Sequence, residues 1–228
     1  MARQERAEQT RLRIVRAAAA EFAEHGYDGT SLHRIVSSAG VTMGALTFHF
    51  ASKSALADAV QEAGVTATRE VILGTASTPG LQGVLDEVLS LANALRTTES
   101  IRAAARLTRE GHASDQGWYQ SWAPDLREAL ERAWGEEHLD AGLTPLAAAS
   151  LLSHILLGVE AAATTPEGLR TMTGNCPAES LAQALKALGA LLTPTTIPAQ
   201  PATNTADPTP ATVADPAPAP AVMADPAP

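Results

Sequence analysis

The chain has 228 residues, of which 45% are apolar but only 4% aromatic, and its 25 acidic and 16 basic side chains give a net charge of −9. Abundant alanine with few aromatic residues favours closely packed helices over a sheet of β-branched and aromatic side chains, so we expect an all-α protein. Cys176 is the only cysteine, which excludes a small secreted fold closed by intrachain disulfides.

The N-terminal segment is polar and basic. It lacks the apolar core of a secretory signal, and no uninterrupted apolar stretch in the chain reaches the roughly 18 residues that span a bilayer, so we expect a cytoplasmic protein with no membrane partner. Residues 1–16 hold five arginines and two glutamates, a local charge of +3, while the acidic excess lies further along the chain. Only charges within roughly 8–10 Å act strongly on a phosphate, so this arm can bind a nucleic acid although the whole chain is acidic.

Four helices are predicted in the first part of the chain. Apolar residues at helical spacing over residues 5–25 predict a first helix that ends at Gly26, because glycine readily adopts the left-handed conformation found at helix ends. Short polar side chains precede the next three apolar runs, and such residues cap helix N-termini. The predicted caps are Thr30 or Ser31, then Thr42, then Ser52.

The body of the chain is predicted to hold five more helices. They lie near residues 81–96, 99–111, 122–139, 145–164 and 178–192. Segment 146–163 is apolar nearly all round and must be covered on several sides. Leu181, Leu185, Leu188 and Leu192 form a stripe along the last helix. The last two predicted helices, within residues 145–192, can form a four-helix dimer interface with the same helices of a second copy, or they can pack inside their own chain. The pattern leaves both open.

The last 36 residues, Thr193–Pro228, have a different composition. They hold ten of the fifteen prolines and no aromatic residue, so we expect a disordered Pro/Ala-rich tail. A proline-rich recognition ligand is the alternative, but no basic anchor stands beside the prolines. The predicted domains are residues 1–51 for a helix-turn-helix domain, 52–192 for a helical ligand-binding and dimerisation domain, and 193–228 for the tail.

Residues 31–50 have the pattern of a helix-turn-helix: a short helix, a glycine turn and a second short helix. The second helix of such a motif approaches DNA closely, and Gly44 and Ala45 are small residues at that point. Helix N-termini present free N–H groups that can bind phosphate oxygens. The three such places are at Thr30, Thr42 and Ser52.

Several short motifs of residues 8–60 fall in the order and spacing of one known family. They include Gly26-Tyr27, Thr30-Ser31, Ala39-Gly40-Val41, Phe48-His49-Phe50 and Ser52-Lys53. With them the segment resembles the TetR (tetracycline-repressor) family of bacterial regulators. Residues 1–11 and 40–51 are similar to the γ-butyrolactone autoregulator receptors of actinomycetes within it. The resemblance implies a homodimeric helical repressor that leaves its DNA when it binds a small signalling lactone.

The resemblance also implies which residues contact DNA. In the receptor subgroup the residue at Met43 is usually lysine and the one at Thr47 usually tyrosine, both associated with phosphate contacts. Each loss flattens the salt dependence of binding, since one neutralised phosphate contributes a slope of roughly −0.9, while Met43 offers apolar contact to a thymine methyl. Arg3 and Arg6 are expected on a mobile arm. The predicted DNA contacts are Arg3, Arg6, Thr30, Thr42, Met43, Gly44, Ala45, Thr47, His49 and Lys53.

A ligand pocket is expected in the acidic body of the chain. By resemblance Trp122 falls where the receptors carry a pocket tryptophan, although it can also simply fill the core between helices. The candidate ligand residues are Trp122, Trp118, Thr108 and His154, with Arg106 and Glu160 as further polar candidates. No residue pattern predicts a metal site, a cofactor or a catalytic group, because His112, Ser114 and Asp115 lie in a predicted loop without an oxyanion site.

The function that follows is a repressor released from a pseudo-palindromic operator by a γ-butyrolactone-like inducer, controlling antibiotic or other secondary-metabolite genes. Two alternatives stay open. One is a pseudo-receptor that answers a different ligand, such as an antibiotic intermediate. The other is a partner that does not bind DNA and forms heterodimers through residues 145–192, which the residues at Met43 and Thr47 make conceivable.

Overall fold

The computed structural model describes residues 2–75, 78–112, 117–137, 142–163 and 177–192, and the predicted tail lies outside them. Within those ranges the chain forms nine α-helices and one 3-10 turn, with no β-strand, so the all-α prediction is confirmed. The helices are α1 (Ala2–Gly29), α2 (Leu32–Ala39), α3 (Met43–His49), α4 (Lys53–Thr75), α5 (Gly80–Thr97), α6 (Glu99–Arg109), α7 (Ala123–Glu137), α8 (Pro145–Ala163) and α9 (Pro177–Leu192).

The predicted break at Gly26 is present in α1. Gly26 has φ 70°, and one further helical turn follows it up to Gly29. A side chain at Gly26 would overlap the carboxylate of Glu110, so both the backbone conformation and the space require glycine. At the other end α1 begins at Ala2. Arg3 and Arg6 therefore stand on its first turns, and the expectation of a mobile arm is wrong, because residues 2–9 are mostly good helix formers.

The first hydrophobic cluster joins α1–α4 and is completed by α6. Phe22 of α1 is fully buried, and Ala103 and Leu107 of α6 close the cluster from the other side. Ile35 of α2 and Leu46 of α3 are also fully buried, so each short helix is anchored by one large side chain. Fixing both helices by their inner faces leaves the outer face of α3 free for other contacts.

The second hydrophobic cluster is built around α5, which packs against α4, α6, α7, α8 and α9. Trp118 and Trp122 are its largest fully buried side chains. Trp118 lies in a 3-10 turn, Trp118–Ser121, so the helix predicted from residue 122 is preceded by a tighter turn. Helix α4 continues to Thr75, well beyond the apolar residues that predicted it, and its residues take part in both clusters. The predicted domain boundary at residues 51 and 52 stays a prediction.

The last two described helices use their apolar residues differently. On α9, Leu185 is buried and the partly buried Leu181 and Leu188 pack against the α5 cluster, so these three leucines contact the core of their own chain. On α8, Leu146 is 64% exposed and Leu151 42% exposed. Residues 145–162 have a mean hydropathy of 1.5, enough in length and composition for a membrane span, but one such helix in a protein is weak evidence for a membrane.

The α4–α6 contact makes a matched pair of glycine variants informative. In Gly64→Ala the new methyl group would overlap Ala104 and the backbone of Ser100, so we expect a loss of roughly 1–3 kcal/mol in the free energy of unfolding. Gly74→Ala on the same helix meets nothing within 4 Å and is expected to be neutral or slightly stabilising. Urea unfolding measures both, and equal values for the two variants would contradict the close α4–α6 packing.

Candidate nucleic-acid interface and ligand pocket

The helix-turn-helix is held by hydrogen bonds at its turn. Thr42 caps α3, since its Oγ1 accepts from the Ala45 N–H at 3.1 Å, and Ser52 caps the following helix by accepting from the Ala55 N–H at 3.0 Å. Both caps were predicted and are confirmed. Gly40 has φ 61°, and the Arg13 guanidinium donates to its carbonyl at 3.2 Å. The start of α3 is therefore fixed from two sides.

The outer face of α3 is open. A methyl group built on Gly44 would meet nothing closer than Thr42 Oγ1 at 4.0 Å, and Thr47 is exposed. Met43, Ala45 and His49 are half-buried beside them. The structure thus gathers Thr42, Met43, Gly44, Ala45, Thr47 and His49 of the predicted contact residues on one short helix whose outer face is uncovered.

The remaining predicted contact residues have different surroundings. Lys53 is half-buried, and its Nζ lies 4.2 Å from the centre of the Tyr27 ring, a cation–π contact that positions it at the start of α4. Arg6 is exposed on α1, and the side chain of Arg3 lies outside the described residues. Thr30 is only 2% exposed. Its prediction as a phosphate contact is wrong, because its hydroxyl donates to the carbonyls of Glu21 and Gly26 and Ser31 caps α2 instead.

Phe48 is the residue of α3 that sequence reasoning missed. Its side chain is 79% exposed, the most exposed of the large hydrophobic side chains that the structure describes. Its position along the helix could have predicted this exposure. Leu46 and Phe50 are four residues apart and both face the core, so the residue midway between them faces the opposite side.

A polar contact joins the end of α6 to the end of α1. Glu110 accepts from the Tyr27 N–H at 2.8 Å and from Arg106 Nε at 2.8 Å, while Arg106 Nη1 donates to the carbonyls of Ala23 and Glu24. Burial raises the pKa of Glu110, but these hydrogen bonds outweigh it and bring the pKa below its ordinary value. The ring of His112 stacks on Tyr27 at 3.9 Å. The α1–α6 contact therefore includes the ring that holds Lys53.

Three aromatic side chains meet at the 3-10 turn and the start of α7. The centres of the Trp118 and Trp122 rings are 5.3 Å apart, and Tyr119 contacts both. Trp118 is fully buried, with its indole N–H donating to Thr68 Oγ1 at 2.8 Å and its backbone N–H to Thr108 Oγ1 at 2.9 Å. Trp118 and Thr108 thus have partners in their own chain, and the geometry assigns them a structural role.

Trp122 differs from Trp118 in one respect. It is 1% exposed, and its buried indole N–H has no hydrogen-bond partner. Glu87 on α5 also has a buried carboxyl oxygen, Oε1, without a partner, and burial together with the nearby charge of Asp125 raises the pKa of Glu87. Unpartnered buried polar atoms cost free energy, so they mark positions where a ligand can supply the missing partner. Glu87 was not predicted, because the sequence does not show which side of α5 faces α7.

The other ligand candidates have different surroundings. His154 is exposed on α8, where its Nδ1 lies 2.6 Å from the Ser150 carbonyl. Its prediction as a pocket residue is wrong, because it stands on an outward face of α8. Glu160 is fully buried, but both of its oxygens bind the Arg109 guanidinium, which occupies the carboxylate and ties α8 to α6. Arg106 belongs to the α1–α6 contact.

One open cleft lies beside the aromatic cluster, between α4 and the 3-10 turn. It has a volume of about 370 Å³ and a polar lining that consists of Asp58, Gln61, Glu62, Val65, Arg69, Gln120 and Ser121. The buried members of this lining, Gln61 and Ser121, already have hydrogen-bond partners. Among the residues that the structure describes, no group of three His, Cys, Asp or Glu side chains could hold a metal ion.

Replacing Glu110 tests the α1–α6 contact through its pH dependence. Because the pKa of Glu110 is lowered in the folded state, its stabilisation is present above the ordinary pKa and disappears as the pH falls through the lowered value. We expect Glu110→Gln to lose about 1–2 kcal/mol of unfolding free energy near neutral pH, because charge-assisted hydrogen bonds are removed. The difference from the unmodified protein should shrink below about pH 4.

Glu24→Gln is the matched control for that change, since Glu24 is an exposed carboxylate on the same helix end, with its side chain 77% exposed. It should change the unfolding free energy little at any pH. Urea unfolding at several pH values gives both curves. A Glu110→Gln deficit that grows on acidification would contradict the assignment.

Comparisons with known proteins agree on one family. Residues 14–60 match the family described as bacterial regulatory proteins, tetR family. The A-factor receptor protein of Streptomyces griseus is 32% identical over 176 residues, which are 76% of this chain and 62% of that protein. The chain therefore spans less than two thirds of that relative's length.

Solved structures show the same likeness over most of the chain. A γ-butyrolactone receptor described as an ArpA-like protein has a TM-score of 0.61 and 26% identity, covering 80% of this chain and 99% of that one. TylP, a TetR regulator from Streptomyces fradiae, has a TM-score of 0.57 and 30% identity, covering 82% of this chain and 86% of that one. Together with the helix-turn-helix described above, these matches establish that the chain belongs to the TetR family of bacterial regulatory proteins.

Proposed function

We propose that the protein is a transcriptional repressor that binds operator DNA through α3 and leaves it when a small neutral ligand occupies the region of Trp122. The uncovered outer face of α3 carries the first part of this proposal. Its small residues, Gly44 and Ala45, allow a close approach to base edges, and the caps at Thr42 and Ser52 fix its angle. The local charge of +3 over residues 1–16 adds sequence-independent attraction to the phosphates.

A homodimer is the form in which α3 would act. Two copies of a reading helix bind successive major grooves when they lie about 34 Å apart, which makes the operator a pseudo-palindrome. The exposed leucines of α8, Leu146 and Leu151, support an interface built from residues 145–192. We place the protein in the cytoplasm and assign it no enzymatic activity, as fits a regulator that acts by binding alone.

The inducer is proposed to be a γ-butyrolactone-like molecule that acts on genes of antibiotic or other secondary metabolism. A solved relative is a γ-butyrolactone receptor, and another relative is named as the A-factor receptor. The unpartnered indole N–H of Trp122 supports a ligand that carries a hydrogen-bond acceptor such as a lactone carbonyl. The ligand must bind the DNA-free conformation more tightly than the DNA-bound one, since equal affinities shift no equilibrium.

A mobility-shift titration tests the proposal. The protein is titrated with duplex fragments selected from a random pool, at several salt concentrations, and a synthetic γ-butyrolactone is then added. Saturable, salt-sensitive binding followed by release supports the repressor. Binding without release favours a pseudo-receptor that answers another ligand. A protein that shifts no duplex contradicts the proposal and favours a partner that does not bind DNA.

Trp122→Phe separates the ligand response from DNA binding. It removes an N–H that has no partner while keeping an aromatic ring, so we expect operator affinity to be kept and release by the lactone to be weakened about tenfold or more. Trp118→Phe is the matched control: it leaves Thr68 without its indole donor and should cost about 1–3 kcal/mol of stability without a specific loss of release. Equal inducer responses in the two variants would contradict the role of Trp122.

Met43→Lys tests whether α3 has lost a phosphate contact. An added lysine at this half-exposed position should steepen the slope of log affinity against log salt by about 0.9 for each protomer, or about 1.8 for the homodimer, because one more phosphate is neutralised by each α3. Leu73→Lys adds the same charge on α4, where Leu73 is 74% exposed, and serves as the control for a general gain in positive charge. The same slope for both lysine variants would show that Met43 does not face the phosphates.

A further inference from the structure

The hydroxyl groups of α3 are already used within the helix. Thr42 Oγ1 accepts from the Ala45 N–H at 3.1 Å, which caps the helix. The Thr47 hydroxyl donates to the carbonyl of Met43 at 3.1 Å or of Gly44 at 3.2 Å. A hydroxyl has one hydrogen, so in this arrangement Thr47 has none to donate to an acceptor on a base edge. It is also the only polar side chain between residues 43 and 48.

The two large side chains on the outer face of the same helix are apolar. Phe48 is 79% exposed, and its closest ring contact in the structure is the edge of His49, with 5.1 Å between the ring centres. Met43, five residues earlier, is half-exposed, and the space over Gly44, one helical turn before Phe48, is open. An aromatic ring and a thioether beside an open backbone form a surface suited to apolar contact, while the residues that anchor the helix, Leu46 and Phe50, face inward.

The major groove contains one apolar group that such a surface can recognise. Guanine, adenine and cytosine present hydrogen-bond donors and acceptors there, whereas thymine also presents its 5-methyl group. We propose that α3 recognises thymine methyl groups, with Phe48 and Met43 as the contacting side chains. The inference rests on the proposed DNA-binding function and names the base feature that its reading helix selects. DNA is favoured as the occupant because the surface lies on the second helix of a helix-turn-helix in a chain with a basic N-terminal segment.

Replacing thymine by deoxyuridine tests this proposal, because it removes the methyl group and keeps the base pair. A duplex bound by the unmodified protein is selected from a random pool, and each thymine is then replaced in turn. We expect about fourfold weaker binding for each contacted methyl group that is removed. Phe48→Ala should lose most of this difference between the thymine and deoxyuridine duplexes, and Phe48→Leu should keep part of it.

Leu73→Ala is the matched control, since Leu73 is an equally exposed apolar residue, 74% exposed, on α4. It should discriminate thymine from deoxyuridine as the unmodified protein does. Equal binding of both duplexes by the unmodified protein overturns the inference, and so does a deoxyuridine penalty that persists unchanged in Phe48→Ala. If Phe48→Ala instead alters self-association in sedimentation and not base preference, the ring is a protein contact and the inference fails. A protein that selects no duplex at all refutes the proposed function itself, which distinguishes the two failures.

Discussion

The close packing of α6 against both α1 and α4 is the constraint on which the rest of the structure depends. Ala103 and Leu107 complete the core of the helix-turn-helix region, while Ala104 lies against Gly64 of α4. Small side chains at these positions let the helix axes approach closely, so one helix serves two hydrophobic clusters at once. Any movement of α6 must therefore displace the start of α4 and the end of α1.

The polar contact at the end of α6 fixes the position of α1 relative to α6. Glu110 and Arg106 hold the last turn of α1, and the ring of Tyr27 lies between His112 and Lys53. Thr108 of α6 accepts a hydrogen bond from the backbone N–H of Trp118. The aromatic cluster around Trp122 and the proposed DNA contact at Lys53 are thus linked through a short series of contacts, and a ligand that favours one arrangement of α6 has a physical route to the DNA-binding surface.

The parts of the molecule that depend on local chemistry could be predicted from the sequence. The caps at Thr42 and Ser52 and the break at Gly26 follow from residue types that act within one helical turn. The wrong predictions concern which side chains face the core and which face solvent. Thr30 is satisfied by carbonyls that the bend in α1 brings to it, and His154 stands on a face of α8 that the apolar pattern cannot distinguish, because that helix is apolar nearly all round.

The composition of α3 affects how the free energy of DNA binding is divided between phosphate contacts and base contacts. Phosphate contacts supply affinity and salt dependence without reading sequence, whereas contacts with base edges carry the specificity. The resemblance implies that Met43 and Thr47 replace a lysine and a tyrosine, so we expect the helix itself to contribute fewer phosphate contacts. In the proposed complex, affinity would then depend more on the basic N-terminal segment and Lys53 and on burying the Phe48 ring. Burial of apolar area is hardly screened by salt, so such a reading helix would discriminate between bases over a wider range of ionic strength than one that relies on charge.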